Sequence, residues 1–335
     1  MKPFQALLVG LGQIGCGYDA HLPFQWNQPE SSPRILSHAR ALACHPDFEL
    51  LSGIDPSPTA RVRFFDLYRR PAFADLQSWI ASSPEVEPDI VIIAVAPQLQ
   101  PSLVAQLLSV VSPRLLLLEK PVAISLNDAY ALEKLCNQKQ GLAVAVNYIR
   151  RYLPAVQHWQ KRLQSCELGE LLHGSITYGK GILSNGSHFV NIAEAWVGPL
   201  KLERIYDAGT ICLGFDREAS VDFNVLNHGS ASLHMRSVGD SGLRAGEVDL
   251  WFRGGRLCWP NNGRSIHFFR RMEPVDGDAY ASLACEPKFT FTNIELYQFT
   301  VIDSLAKFLM DSSSYPLNCS LRDGINTLET LSKCL

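Results

Sequence analysis

Apolar residues gather in short runs along the first half of the chain: Leu7-Leu8-Val9, Phe48 to Asp55, Asp89 to Val95, Arg114 to Glu119 and Leu142 to Asn147. Runs of this length, bounded by polar or turn-forming residues, predict strands covered on both faces. Helical stretches lie between them, and strands alternating with helices predict a parallel, doubly wound sheet. From about Tyr152 the texture changes. A helix through Trp159 leads into Gly174 to Tyr178, Ser220 to Val225 and Glu247 to Phe252, where apolar and polar positions alternate. That period predicts antiparallel strands with one polar face. Helices return from Ile294 to Met310 and from Leu321 to Leu335. The pattern predicts an α/β doubly wound domain over 1–150, then an α+β domain over 151–335 built on a large, mostly antiparallel open sheet.

The first strand runs straight into Gly10-Leu11-Gly12-Gln13-Ile14-Gly15, a G-x-G-x-x-G turn that opens a helix. Each glycine has its own reason: Gly10 for the tight turn, Gly12 so that the backbone can approach a pyrophosphate, Gly15 for close packing of helix on strand. The amides around Gln13 and Ile14 then sit at the positive end of the helix, where a diphosphate binds. The segment Tyr18 to Pro33, rich in Pro, Asn, Gln and Ser, breaks the helical period before Ile35 to Leu42 resumes it. It reads as an inserted loop, either a cover over the cofactor or substrate or a tolerated surface excursion. The second strand ends at Asp55, an acid placed to accept the hydroxyls of an adenosine ribose. Its distance from the glycines is about twice the usual ~20 residues, and removing the inserted loop restores the interval. No arginine directly follows in Asp55-Pro56-Ser57-Pro58, so NAD is favoured over NADP. The plainer role for Asp55 is to cap the helix that starts near Pro58.

Composition narrows the field further. With 335 residues, 47% hydrophobic and 19% charged, the chain is long enough for two cores. Thirty Lys and Arg against 33 Asp and Glu give a net charge of -3, which offers no global field for nucleic acid or an anionic membrane. The basic run His267-Phe268-Phe269-Arg270-Arg271 fits an exposed strand better than a base-stacking platform. Nine cysteines without a C-x-x-C spacing suit reduced, mostly buried thiols and neither a disulfide framework nor a metal site. The N-terminal Met1-Lys2-Pro3-Phe4-Gln5 leads directly into the first strand and no apolar run is of membrane-spanning length, so a cytoplasmic protein is expected.

A second motif, Glu119-Lys120-Pro121, follows a buried strand at its carboxyl end, where open α/β sheets bind ligands. Arg150-Arg151-Tyr152-Leu153-Pro154 and Asn185-Gly186-Ser187-His188 come later. In this order, with the glycine turn and the antiparallel second half, the motifs resemble the glucose-fructose oxidoreductase, inositol dehydrogenase and MocA family over nearly the whole chain. The resemblance implies a Rossmann domain binding NAD(P), a substrate domain with a large open sheet, and hydride exchange with sugars or cyclitols. It places Lys120 near the nicotinamide and the reacting hydroxyl, with a cis bond often preceding the residue that matches Pro121. It makes His188 the second proton-bearing group and sets Ala96, Pro97 and Glu119 at the cofactor. Family members commonly carry an aspartate four residues before the histidine; here that residue is Ser184, with Asn185 the nearest polar replacement. The combination of Lys180-Gly181-Ile182 with Asn185-Gly186-Ser187-His188 looks like a polysaccharide and nucleotide-sugar branch. Lys180, Asn185 and Arg151 are then candidates for substrate contact. Another departure is Pro101, where the family often has histidine, which leaves the loop after Pro97 to touch cofactor through backbone and small side chains.

Each assignment has a plainer counterpart: Lys120 as a surface lysine, His188 as a packed or capping residue, Arg151 as a structural ion pair. The expected protein is an NAD(P)-dependent oxidoreductase of a secondary alcohol or ketone of a sugar, a nucleotide-linked one being favoured, requiring no metal and forming a homodimer or homotetramer through the open sheet. Two alternatives are a reductase of a small keto, enone or imine substrate, and a dinucleotide-binding sensor or scaffold without catalysis.

Overall fold

The computed structural model describes residues 2–82, 86–212, 216–240, 242–243, 245–260, 263–274 and 279–334. The chain divides into two compact units, the first made of Met1–Tyr152 with Glu295–Ile325, the second of Leu153–Ile294 with Asn326–Leu335.

The first unit begins with β1 (Phe4–Val9), α1 (His38–Cys44), β2 (Phe48–Ile54), α2 (Pro58–Tyr68), β3 (Ala72–Phe73) and α3 (Leu76–Ser82). It continues with β4 (Ile90–Ile93), α4 (Gln100–Leu108), β5 (Leu115–Leu118), α5 (Leu126–Asn137) and β6 (Ala143–Val146). The sheet order is β3-β2-β1-β4-β5-β6, and every recorded pair is parallel. Ile90 to Ile93 and Leu115 to Leu118 are completely buried, as strands with helices over both faces must be. The sequence starts each helix with a defined signal. Ser37, Ser57 and Ser125 accept amide hydrogens at the N-termini of α1, α2 and α5, and Pro58 opens α2.

The inserted loop is folded against its own unit. The Asp19 carboxylate accepts from the Leu36 and Ser37 amides and the Ser37 hydroxyl, so it anchors the loop to the start of α1. The completely buried Arg40 donates to the Asp19 and Pro23 carbonyls and to Ser32 Oγ, and its guanidinium lies 4.2 Å from the centre of the Phe24 ring. Phe24 in turn packs 5.4 Å from Tyr68 of α2.

The second unit contains α6 (Pro154–Gln164), β7 (Leu171–Tyr178), α7 (Ser187–Val197), β8 (Leu200–Asp207) and the short pair β9 (Ile211–Cys212) and β10 (Asp216–Arg217). It then adds β11 (Ser220–Val225), β12 (Ser232–Ser237), β13 (Gly246–Phe252), β14 (Gly255–Trp259), β15 (Ser265–Met272), β16 (Ser282–Leu283) and β17 (Lys288–Phe291). Nine of these strands form one sheet in the order β16-β15-β14-β13-β7-β12-β11-β8, with β17 beside β15. Pairing is antiparallel except between β7 and β12. Alternation sorts the side chains: Ile176, Val221, Phe223, Leu233, Met235, Leu250 and Leu257 are buried on one face. The intervening positions carry ions and rings. Arg256 pairs with Asp249 at 2.5 Å and lies over Trp251 and Phe269, while Asp222 gathers Arg204, His234 and Arg236. Arg270 and Arg271 of the basic run lie on strand β15.

Residues 295–325 rejoin the first unit, carrying α8 (Tyr297–Met310) and the start of α9 (Leu321–Ser332). The helical periods here are visible in the sequence, but a division at residue 150 leaves this stretch with the second domain. Its place follows from an unsatisfied strand edge. The Val146 amide donates to the Cys319 carbonyl and Ala145 bridges Ser320, which closes the open side of β6. The Ile35 amide bonds the Glu295 carbonyl and Tyr297 Oη bonds the Leu36 carbonyl, seating α8 beside α1. All nine cysteines are free, six of them buried. Among the described residues no helix is long and apolar enough to cross a membrane, and no group of His, Cys, Asp and Glu has the arrangement of a metal site.

Candidate active site

The cofactor-facing candidates follow the carboxyl ends of four neighbouring strands. Gly10 to Gly15 follow β1, Asp55 follows β2, Ala96 and Pro97 follow β4, and Glu119-Lys120 follow β5, strands adjacent in the order β2-β1-β4-β5. This common rim is where open parallel sheets take ligands. Gly10 has φ +96°, and a Cβ there would run into the Ala94 carbonyl; a Cβ on Gly15 would run into the Gly10 carbonyl. Gly12 is different, with nothing within 4 Å of where its Cβ would stand. Packing therefore requires the first and third glycines, and the second faces open space of the kind a pyrophosphate needs. The chain winds one π-type turn over Gln13–Gly17, whose opening amides have no partner within the helix.

Asp55 stands beside this turn. Its Oδ2 accepts the Leu11 amide at 2.8 Å and its Oδ1 accepts the Ser57 amide at 2.8 Å. Capping of α2 falls to Ser57, leaving Asp55 tied to the glycine turn. Six residues on, Arg61 Nη1 donates to the carbonyls of Asp55 and Pro56. Arg63 reaches back to the Leu11 carbonyl. The residues present fit a dinucleotide on the evidence of the open space at Gly12 and the fixed acid at the end of β2.

The Lys120–Pro121 peptide is cis. Around it lies a buried polar network that no local motif announces. Glu119 Oε1 accepts from His38 Nε2 at 2.8 Å and from Asn147 Nδ2 at 2.7 Å. Gln298 Nε2 meets His38 Nδ1 at 2.9 Å, and Gln298 Oε1 accepts from Asn147 Nδ2 at 3.2 Å. Gln100 Nε2 donates to the carbonyls of Glu119 and Pro121, both at 2.9 Å, bracketing the turn that carries Lys120. Burial pushes the Glu119 carboxyl up, but the His38 hydrogen bond and charge, the Asn147 hydrogen bond and the Lys120 charge outweigh it, leaving Glu119 below the ordinary carboxylate value.

In the second unit, Gly181 has φ +84° and opens another π-type turn, Ile182–Gly186, which leads directly into α7. Two buried acids organise it. Asp216 accepts the Leu183 and Ser184 amides at 2.9 and 2.7 Å, and Glu218 Oε1 accepts the Gly181 amide at 2.7 Å. Asn185 Nδ2 donates to the carbonyls of Gly179 and Ala245. His188, the second residue of α7, is thereby held at the end of a braced turn and is itself mostly buried. Lys180 is exposed at φ +70°.

Two candidates for substrate contact have partners within the protein. Arg151 is buried, donates to the Asn318 carbonyl at 2.8 Å and lies 3.8 Å from Asp323. The Asn185 amide nitrogen ties its turn to the carbonyls of Gly179 and Ala245. His38, Gln100, Asn147, Gln298, Asp216 and Glu218 are absent from the sequence-derived site. His38, which shares the buried helix α1 with Arg40, is the one visible signal among them; the others depend on contacts between distant residues.

Residues 4–148 match the model of the oxidoreductase family with an NAD-binding Rossmann fold, GFO_IDH_MocA. The matched stretch lies within the first unit. No curated protein matches the chain in a sequence search. Among solved structures, the WlbA dehydrogenase from Bordetella pertussis, in complex with NADH and UDP-GlcNAcA, is similar with a TM-score of 0.73 at 16% identity, over 99% of this chain and 95% of that one. UDP-N-acetylglucosamine 3-dehydrogenase GnnA from Acidithiobacillus ferrooxidans gives 0.69 at 15%, over 100% and 97%. A myo-inositol dehydrogenase from Corynebacterium glutamicum gives 0.70 at 17%, over 99% and 95%. Over nearly its whole length the chain thus shares the fold of these solved structures.

Proposed function

We propose that this protein is an NAD-dependent oxidoreductase of a secondary alcohol or its ketone on a sugar, and specifically on a nucleotide-linked sugar. The observation that carries the reading is the rim shared by the glycine turn, Asp55 and Glu119-Lys120 on adjacent parallel strands. The folds of the UDP-sugar dehydrogenases support the substrate class. The opening amides after Gly12 would hold the diphosphate and Asp55 the adenosine ribose. NAD is preferred because the Asp55 carboxylate repels a 2′-phosphate, while Arg61 Nη1 is taken by backbone carbonyls.

Bound NAD supplies a hydride acceptor at nicotinamide C4. Lys120 exchanges the proton of the reacting hydroxyl and donates to the oxygen as charge develops on it. His188 is the second group in that exchange, and Ser184 offers it no carboxylate, so the larger share falls to Lys120. Lys180 reaches toward the substrate. The open face of the large sheet, with its Asp249–Arg256 and Asp222–Arg236 pairs, is the surface through which two or four copies would associate.

NADH formation on a panel of UDP-N-acetylglucosamine, UDP-N-acetylglucosaminuronic acid, free hexoses and myo-inositol tests the reading. Turnover of a UDP-sugar is expected, and Lys120→Ala should lower kcat at least about 100-fold while retaining NADH binding. A wild-type rate in that variant would remove Lys120 from the chemistry. NADH binding without turnover of any alcohol or keto compound would favour a sensor, the reading that Ser184 in the aspartate position motivates.

A further inference from the structure

Leu11, the residue between the first two glycines of the turn, is held by its side chain, its amide and its carbonyl. The side chain is completely buried against Gly53 of β2, where a Cβ would stand 2.8 Å from Leu11 Cδ2. The amide donates to Asp55 Oδ2 at 2.8 Å, and the carbonyl accepts from Nη2 of Arg63, which reaches back from α2. These two hydrogen bonds fix different peptide planes. The Leu11 amide belongs to the plane shared with Gly10 and the Leu11 carbonyl to the plane shared with Gly12, so together they set both dihedrals of Leu11.

The Leu11–Gly12 peptide is trans, and in a trans peptide the N–H points opposite to the C=O. With the carbonyl turned toward Arg63, the Gly12 amide is turned away from it. Gly12 is exposed, and among the described residues no group accepts its amide. The guanidinium is more enclosed. Its Nε is buried with no acceptor. Burial pushes the Cys16 thiol up, and the hydrogen bond and charge of Arg63 draw it part of the way back, which sets the guanidinium beside the inner, completely buried part of the turn. An apolar side chain would fill that space without stranding an N–H, a cost of about 1–3 kcal/mol. What the arginine adds is a charged donor on one chosen carbonyl.

We propose that Arg63 is a positioning residue for the cofactor diphosphate, holding the Leu11 carbonyl so that the Gly12 amide is presented to the anion. This rests on the reading in which the diphosphate lies at Gly12. Arg63 acts through the Leu11–Gly12 peptide and not by contact, so its effect is confined to ligands that carry the diphosphate. Asp55 holds the other side of the same leucine, which couples the ribose end of the site to the phosphate end.

Binding of ADP-ribose, measured by calorimetry, and of adenosine, measured by ligand-observed NMR, tests the assignment on the whole protein without any turnover. In Arg63→Met, which keeps the reach of the side chain and loses its donors, ADP-ribose should bind at least about tenfold more weakly while adenosine stays within about twofold. Arg63→Lys, which returns one charged donor, should recover most of the loss. ADP-ribose affinity within about twofold of wild type in folded Arg63→Met would overturn the proposal. Equal losses for the two ligands would overturn it as well, because they would mark a turn that has come apart and no longer holds Asp55 in place. If Arg63→Met does not fold, Arg63→Gln is read by the same criteria. Wild-type protein that binds neither NADH nor ADP-ribose would remove the dinucleotide reading itself, a result distinct from failure of the Arg63 assignment.

Discussion

Residues 10–17 and 181–186 are built alike and do opposite things. Each starts at a glycine with positive φ, Gly10 at +96° and Gly181 at +84°, and each winds one π-type turn. At the first, Asp55 takes the Leu11 amide alone, and no carboxylate of the described residues meets the amides of Gln13 and Ile14. At the second, Asp216 and Glu218 take the amides of Gly181, Leu183 and Ser184. One turn leaves its opening amides without a carboxylate; the other satisfies them internally and becomes a braced mount for His188. An anion site is therefore made as much by the acids a fold withholds as by the glycines it supplies.

The largest break in this contrast should come from Asp216→Ala. It strands the buried amide of Leu183 and the partly buried amides of Ser184 and Arg217 and should cost about 3 kcal/mol, seen as a lower urea midpoint, while NADH affinity stays within about twofold. An equal loss of NADH binding would mean that the two turns are not independent. Gly12→Ala is the converse probe. With open space at the Cβ position, stability should hold, but NADH should bind at least about tenfold more weakly, roughly 1.4 kcal/mol. Unchanged NADH affinity would show that the diphosphate does not approach Gly12.

A smaller effect separates acids that brace amides from acids that pair charges. Asp222 resists ionisation through burial, but hydrogen bonds from His234 and Arg236 and their charges prevail, holding it at about 2, below its usual 3.8. A depressed native value stabilises fully above the unfolded value and is lost as pH falls through the native one. Wild type should exceed Asp222→Asn by about 1 kcal/mol near pH 6, after discounting for screening around the partly exposed arginines. That gap should close as urea midpoints are followed from about pH 4 toward about pH 2. A gap independent of pH would assign Asp222 a packing role.

Local period and turn chemistry were enough to reveal much of this protein. Unbroken apolar runs distinguish the buried parallel strands from the alternating strands of the second unit, because burial on two faces or one is written residue by residue. The glycine turn, Asp55 and Glu119-Lys120-Pro121 are legible for the same reason: each is a short stretch whose backbone demands particular residues. Partner choice is another matter. Arg151 follows a suggestive motif yet is committed to Asn318 and Asp323, and nothing near Ser184 foretells Asp216. His38 needs Gln298, 260 residues away, and residues 295–325 return to the first unit because β6 has an edge to close. Sequence states that a buried polar group requires a partner; only the packed chain decides which one, because hydrogen bonds are satisfied by proximity in space and not along the backbone.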